Sequence, residues 1–136
     1  MLPVAAEMQP FEWDRFEKHI KRFISFHNRK NMQFGLARLD FADQGKLQDY
    51  TLIFNRISRT LRHHDIPARG EDDRSYYILF LASSRQMVQG AVERLGGVLK
   101  EIDYKADFKV AIYPDDGSSS EELLSAVGGR QKEGCL

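Results

Sequence analysis

Residues 61–83 read LRHHDIPARGEDDRSYYILFLAS. The stretch closes a helix, crosses a short extended piece, turns through five charges in the six residues 69–74, and then runs apolar from Tyr76 to Ala82. Pro67 cannot donate to a sheet ladder, so the extended piece 66–69 reads as an edge or irregular strand. The run 75–82 is nearly continuous in apolar residues and reads as a central one. Two such strands around a charged tip make a hairpin, and an Arg-x-x-Asp, Arg62 and Asp65, lies just upstream of it.

The pattern extends in both directions. Residues 33–41, QFGLARLDF, predict a strand with Phe34, Leu36 and 37–39 inward and Asp40 near its end. A turn at 42–45 leads into a helix over 46–64, where Leu47, Tyr50, Ile53, Phe54, Ile57 and Leu61 fall at helical spacing. Downstream, Ser83 and Ser84 suit the cap of a helix that runs to about residue 102, with Gly96 and Gly97 weakening it locally. Residues 108–113, FKVAIY, predict a fourth strand, 114–117 a turn, and 121–127 a last short helix ended by Gly128 and Gly129. Residues 11–28 form an amphipathic helix with Phe16, Ile20 and Phe23 among its apolar positions. It either packs on its own domain or serves as a signalling, partner or dimer interface. Residues 1–10 read as a flexible lead-in and 131–136 as a disordered tail.

The order is therefore helix, βαββαβ, helix, in one domain over 11–130. It predicts the α+β class: a ferredoxin-like four-stranded antiparallel sheet with helices on one face and an extra N-terminal helix. Many functions share that plan.

Composition narrows the field. The chain has 136 residues, 42% of them hydrophobic and 29% charged, and zero formal net charge. No global field draws it to nucleic acid or to an anionic membrane. Tyr76, Tyr77 and Phe80 on a central strand would suit an RNA-stacking platform, but the Lys/Arg-Gly-aromatic pattern that accompanies one is missing. No apolar run reaches the roughly 20 residues of a membrane span, and the first residues lack the basic and apolar regions of a signal peptide. The single Cys135 forms no internal disulfide, which suits a reducing, cytoplasmic setting. His19, His27, His63 and His64 show no metal-ligand spacing and read as surface histidines. There is no phosphate-cradling Gly-Lys loop, no nucleophile constellation and no zinc pattern.

Four segments, in order, resemble the GGDEF domain of bacterial diguanylate cyclases. FGLARLD (34–40) resembles its first strand, which ends in a metal-binding Asp. LRHHDIPAR (61–69) resembles its helix-to-strand passage with an Arg-x-x-Asp. EDDRS (71–75) occupies the place of the five-residue signature at the hairpin tip. VAIYPDDG (110–117), with the helix after it, resembles its last strand and Pro-x-Asp-Gly turn. The resemblance covers about 11–130 and implies a nucleotidyl cyclase-like fold.

The departures from the family carry the functional reading. The two signature glycines, which let backbone lie against a nucleotide, are Glu71 and Asp72 here, and two carboxylates repel a triphosphate. The acidic fourth position is Arg74 and the aromatic fifth is Ser75, so only Asp73 keeps its charge. Asp40 and Asp73 remain as a vestigial metal pair or as solvated loop acids. The segment between Asp40 and Asp65 is shorter than the family's and lacks its guanine-binding residues. The resemblance thus implies a catalytically inactive regulatory or protein-interaction module in cyclic di-GMP signalling, not an enzyme, with Mg²⁺ relevant only to residual activity. Its partners would be a protein or a second copy, met through the N-terminal helix or the hairpin tip, with no nucleic acid and no membrane insertion. The alternative is a cyclic di-GMP receptor. The family's product-inhibition site resembles Arg62-x-x-Asp65 joined by an arginine of the next helix. Arg94 fills that place if one residue is inserted near 82–84; otherwise the position is Glu93. A planar guanidinium suits guanine recognition by paired hydrogen bonds and stacking. A residual cyclase is the weakest reading.

Overall fold

The computed structural model describes residues 13–41, 50–70 and 75–128. The lead-in at 1–10, the turn at 42–45, the tip residues 71–74 and the tail at 131–136 lie outside them. The described elements are α1 (Trp13–Lys30), β1 (Phe34–Phe41), α2 (Tyr50–Thr60), β2 (Ile66–Arg69), β3 (Ser75–Phe80), α3 (Arg85–Lys100), β4 (Ala106–Tyr113) and α4 (Ser120–Ala126). The four strands form one sheet in the order β2-β3-β1-β4, and every neighbouring pair is antiparallel. Leu36 of β1 stands opposite Leu79 of β3 and Ala111 of β4. Pro67 sits on the edge strand β2, where its missing N–H costs no ladder bond.

The sheet is covered on both faces, not one. Successive side chains of a strand point to opposite sides. Ala37, Leu39 and Phe41, with Tyr76, Ile78, Phe80 and Ile112, pack under Ile53, Phe54 and Ile57 of α2 and Val88, Ala91, Leu95 and Leu99 of α3. The other register, Phe34 and Leu36 with Tyr77, Leu79, Ala111 and Tyr113, packs under Phe16, Ile20 and Phe23 of α1 and Leu123 and Leu124 of α4. Tyr76 and Phe80 therefore face one layer and Tyr77 the other, all buried, and no aromatic platform is open for base stacking. Gly35 lies where β1 meets α3; a Cβ there would overlap Val88.

The two readings of the first helix separate here. Its apolar stripe is spent on its own sheet: Phe16, Ile20 and Phe23 are all buried. Each such side chain contributes about 2 kcal/mol of burial, enough to dock the helix firmly. A partner could meet only its polar face and the exposed Phe26.

The helix caps follow the sequence, but α2 ends at Thr60 and not at 64, because residues 61–65 turn back and the Asp65 carboxylate takes the Arg62 N–H. Ser84 caps α3 by accepting from the Met87 N–H at 3.3 Å, and Ser119 caps α4 by accepting from the Glu122 N–H at 3.1 Å. Gly96 and Gly97 do not interrupt α3, because Leu95 and Leu99 hold that turn against the sheet. In the turn after β4, the Asp116 carboxylate accepts from the Ile112 N–H at 2.8 Å and from Arg85 at 2.7 Å. These bonds, that of Ile112 foremost, hold Asp116 below the usual carboxylate range.

Candidate functional site

The segments singled out in the sequence lie at opposite ends of β3. At its N-terminal end, Ser75 stands opposite Asp40, and Asp40 stands opposite Asp107. Glu71, Asp72, Asp73 and Arg74 lie outside the described residues. Ser75 is buried, and its carbonyl accepts from the Gly70 N–H at 2.7 Å. The two strands are so close here that a Cβ on Gly70 would overlap Ser75.

Asp40 is not a loop acid but a strand residue engaged by a neighbour. Positions 38 and 40 fall on the same face of β1. Arg38 Nε reaches both carboxylate oxygens, at 3.2 and 3.0 Å, and Nη1 donates to the Tyr77 hydroxyl. The Arg38 side chain is only 9% exposed, that of Asp40 38%. A metal ion at Asp40 would have to share the carboxylate with this buried cation. No group of three or more His, Cys, Asp or Glu able to hold a metal occurs among the described residues. Of the two carboxylates expected there, Asp40 is described and Asp73 lies outside the described residues.

At the other end, Arg62 and Asp65 lie in the passage from α2 to β2. Asp65 is the buried member, its side chain 2% exposed against 47% for Arg62. Its carboxylate accepts from Arg62 Nη2 and from the Arg62 and Leu81 backbone N–H groups, each at 3.2 Å. Arg62 Nη2 also donates to Ser83 Oγ at 2.7 Å and to the Leu81 carbonyl. The pair is thus a staple between the α2–β2 passage and the β3–α3 turn. Among the described residues Nη1 makes no hydrogen bond, which leaves one edge of the guanidinium for a ligand.

Arg62 lines a concavity of about 250 Å³. Its lining includes Arg62, Asp65, Ser83 and Arg94, with Leu61, Phe80, Met87 and Ala91 as apolar wall. The three residues proposed for ligand binding, Arg62, Asp65 and Arg94, thus share one depression, and Glu93 is not part of it. Arg94 is exposed and makes no ion pair among the described residues.

Sequence reasoning missed His27. It is fully buried, not a surface histidine. Nδ1 lies 2.7 Å from the Phe23 carbonyl, and the Ala82 N–H donates to Nε2 at 2.9 Å. An acceptor role at Nε2 places the proton on Nδ1 and makes the ring neutral. Burial among Phe23, Phe26 and Phe34 pushes its pKa below the usual histidine value. The signal was present: Phe16, Ile20, Phe23 and His27 continue one stripe at spacings of four, three and four. His63 and His64 are exposed, edge-on to each other.

No protein-family model matches the chain, and no curated protein matches it in sequence. Solved structures do match its fold. The GGDEF domain of FimX from Pseudomonas aeruginosa superposes with a TM-score of 0.73 at 13% identity, over 94% of this chain and 88% of that one. The GGDEF domain of TpbB (YfiN) from Pseudomonas aeruginosa gives 0.71 at 16% identity, over 85% of this chain and 78% of that one. The coiled coil and GGDEF domain of DgcB from Caulobacter crescentus, solved in complex with c-di-GMP, gives 0.71 at 12% identity, over 83% and 70%. The fold is that of GGDEF domains.

Proposed function

We propose that the chain is a catalytically inactive GGDEF-type module that regulates or binds other proteins in bacterial cyclic di-GMP signalling, in the cytoplasm. The observation that supports inactivity is the Arg38–Asp40 pair. A buried guanidinium occupies the carboxylate that the reaction needs for its metal, and joining two nucleoside triphosphates requires metal on paired carboxylates. The signature residues Glu71 to Ser75 add their repulsion and bulk where glycine backbone is needed. No cofactor enters this reading. Its protein partner meets the exposed face of α1 or the tip of the β2–β3 hairpin. That partnership has a parallel in diguanylate cyclase SiaD of Pseudomonas aeruginosa, solved with its activator SiaC. Incubation with GTP and Mg²⁺ or Mn²⁺, followed by chromatography, is expected to yield no dinucleotide; a metal-dependent product overturns the proposal.

A second reading, cyclic di-GMP receptor, is favoured by one observation: Arg62, Asp65 and Arg94 line the same concavity. A guanidinium held by a buried carboxylate and the 81–83 turn presents Nη1 as a fixed donor, which a single guanine acceptor, O6 or N7, can take. Arg94 is the clean probe, since it is exposed and has no role in the staple. Calorimetric titration is expected to show cyclic di-GMP bound by the wild type and more weakly by Arg94→Ala. No heat with the wild type removes this reading.

A further inference from the structure

Helix α1 and the Arg62 concavity belong to different layers of the molecule, yet they hold the same three residues. The Leu81 carbonyl accepts from Arg62 and its N–H donates to Asp65. The Ala82 N–H donates to His27 of α1. The Ser83 hydroxyl accepts from Arg62, while its N–H donates to the Gln33 carbonyl at 2.9 Å. Ala82 takes φ +49°, the left-handed region, which costs a residue with a Cβ roughly 1–2 kcal/mol. Such a conformation persists only when its surroundings fix it, and the His27 and Gln33 bonds do so.

We infer that His27 is a positioning residue for the Arg62–Arg94 concavity: its neutral ring holds turn 81–83 in the shape that presents Arg62, and protonating it releases the turn and weakens capture of an anionic nucleotide there. The inference deepens the receptor reading and rests on it for the ligand. An imidazolium donates from both nitrogens, so it would set Nε2–H against the Ala82 N–H. The ring is faced by Phe23 and Phe26 of α1, Phe34 of β1 and the Ala82 peptide. No titratable or charged side chain of α1, β1 or the turn contributes to the shift of its pKa; burial lowers it and the Phe23 carbonyl partly opposes. Nothing in the site compensates an added proton. The folded ring titrates below its unfolded value, so its hold is complete above about pH 6.5 and is lost as pH falls through the folded value.

The test uses the whole chain in three forms: wild type, His27→Gln, whose amide offers an acceptor and a donor but does not titrate, and His27→Leu, which fills the space without an acceptor. Amide hydrogen exchange of Ala82 and Ser83 is followed by NMR at about pH 7.5 and about pH 5.5, either side of the usual histidine value near 6.5. Protection relative to the unfolded chain is expected to drop with acid in the wild type, by at most about tenfold, the limit set by working one pH unit below the usual histidine value. It should stay level in His27→Gln and be low at both pH values in His27→Leu. Equal acid responses in wild type and His27→Gln overturn the inference, as does wild-type protection in His27→Leu. Titration with cyclic di-GMP is the second arm: wild-type affinity is expected to weaken at the lower pH by the fraction of molecules whose turn is released, and His27→Gln to stay flat. Absence of wild-type binding at the higher pH overturns the receptor reading and the ligand coupling with it, while exchange still decides the hold on the turn. Binding with pH-flat exchange leaves the receptor standing and overturns the role of His27.

Discussion

An arginine and an aspartate pair at each end of β3, and the two pairs are buried in opposite senses. In Arg38–Asp40 the cation is inside, 9% exposed, and the carboxylate half outside. In Arg62–Asp65 the carboxylate is inside, 2% exposed, and the guanidinium half outside. The same two side chains therefore do different chemistry. A buried cation holds its half-exposed carboxylate in an ion pair. A buried carboxylate instead fixes the plane of an arginine whose free edge faces solvent. The proposed loss of catalysis and the proposed ligand site thus fall at opposite ends of the sheet, on pairs of opposite burial.

Substitutions can break or sharpen that contrast. Arg62→Ala is expected to be the costliest, about 3 kcal/mol in urea unfolding, because it strands a buried charge on two backbone N–H groups. A loss no larger than that of Asp40→Asn would end the claim that the carboxylate of this pair depends on its partner. Arg38→Met should cost about 2 kcal/mol, since the buried Tyr77 hydroxyl loses a charged donor while Asp40 can turn to water. Asp65→Asn should cost about 1.5 kcal/mol, retaining an acceptor for the Leu81 N–H but not the ion pair. Asp40→Asn should cost about 0.5 kcal/mol, the usual worth of a half-solvated pair. The last two are the same chemical change, so equal unfolding midpoints for Asp65→Asn and Asp40→Asn would dissolve the contrast.

Much of this was legible in the sequence. The order of elements, the edge position of the Pro67 strand and both serine caps follow from local chemistry. The second helical layer is not legible in any one strand, because a continuous apolar run reads as central without naming what covers each face. The runs 34–39 and 75–80 supply two apolar registers each, and α1 and α4 cover the second. Arg38 falls within the inward run 37–39, but no pairing partner follows for it from that run alone. Its i, i+2 relation to Asp40 was the available signal for a pair on one face. His27 escaped because a polar ring without metal-ligand spacing reads as a surface residue, although it sits in register with Phe16, Ile20 and Phe23. Both cases teach that periodicity outranks residue polarity when the partner atoms come from elsewhere in the chain. The Ala82 N–H that completes His27 is 55 positions away, and no local pattern reports it.

The second layer also sets the order in which the molecule can be completed. Its roof is made of the first and last described helices, joined by the Ser120 hydroxyl and the Glu17 carboxylate at 3.3 Å, 103 positions apart. During synthesis α1 emerges first, and its stripe of Phe16, Ile20 and Phe23 waits for β4 and then for Leu123 and Leu124. The α2–α3 layer closes over shorter separations. Contacts that span the chain are slow to form and leave apolar surface open meanwhile. The newborn chain is thus at its stickiest just before its last helix arrives, and a truncation before α4 would leave it so permanently.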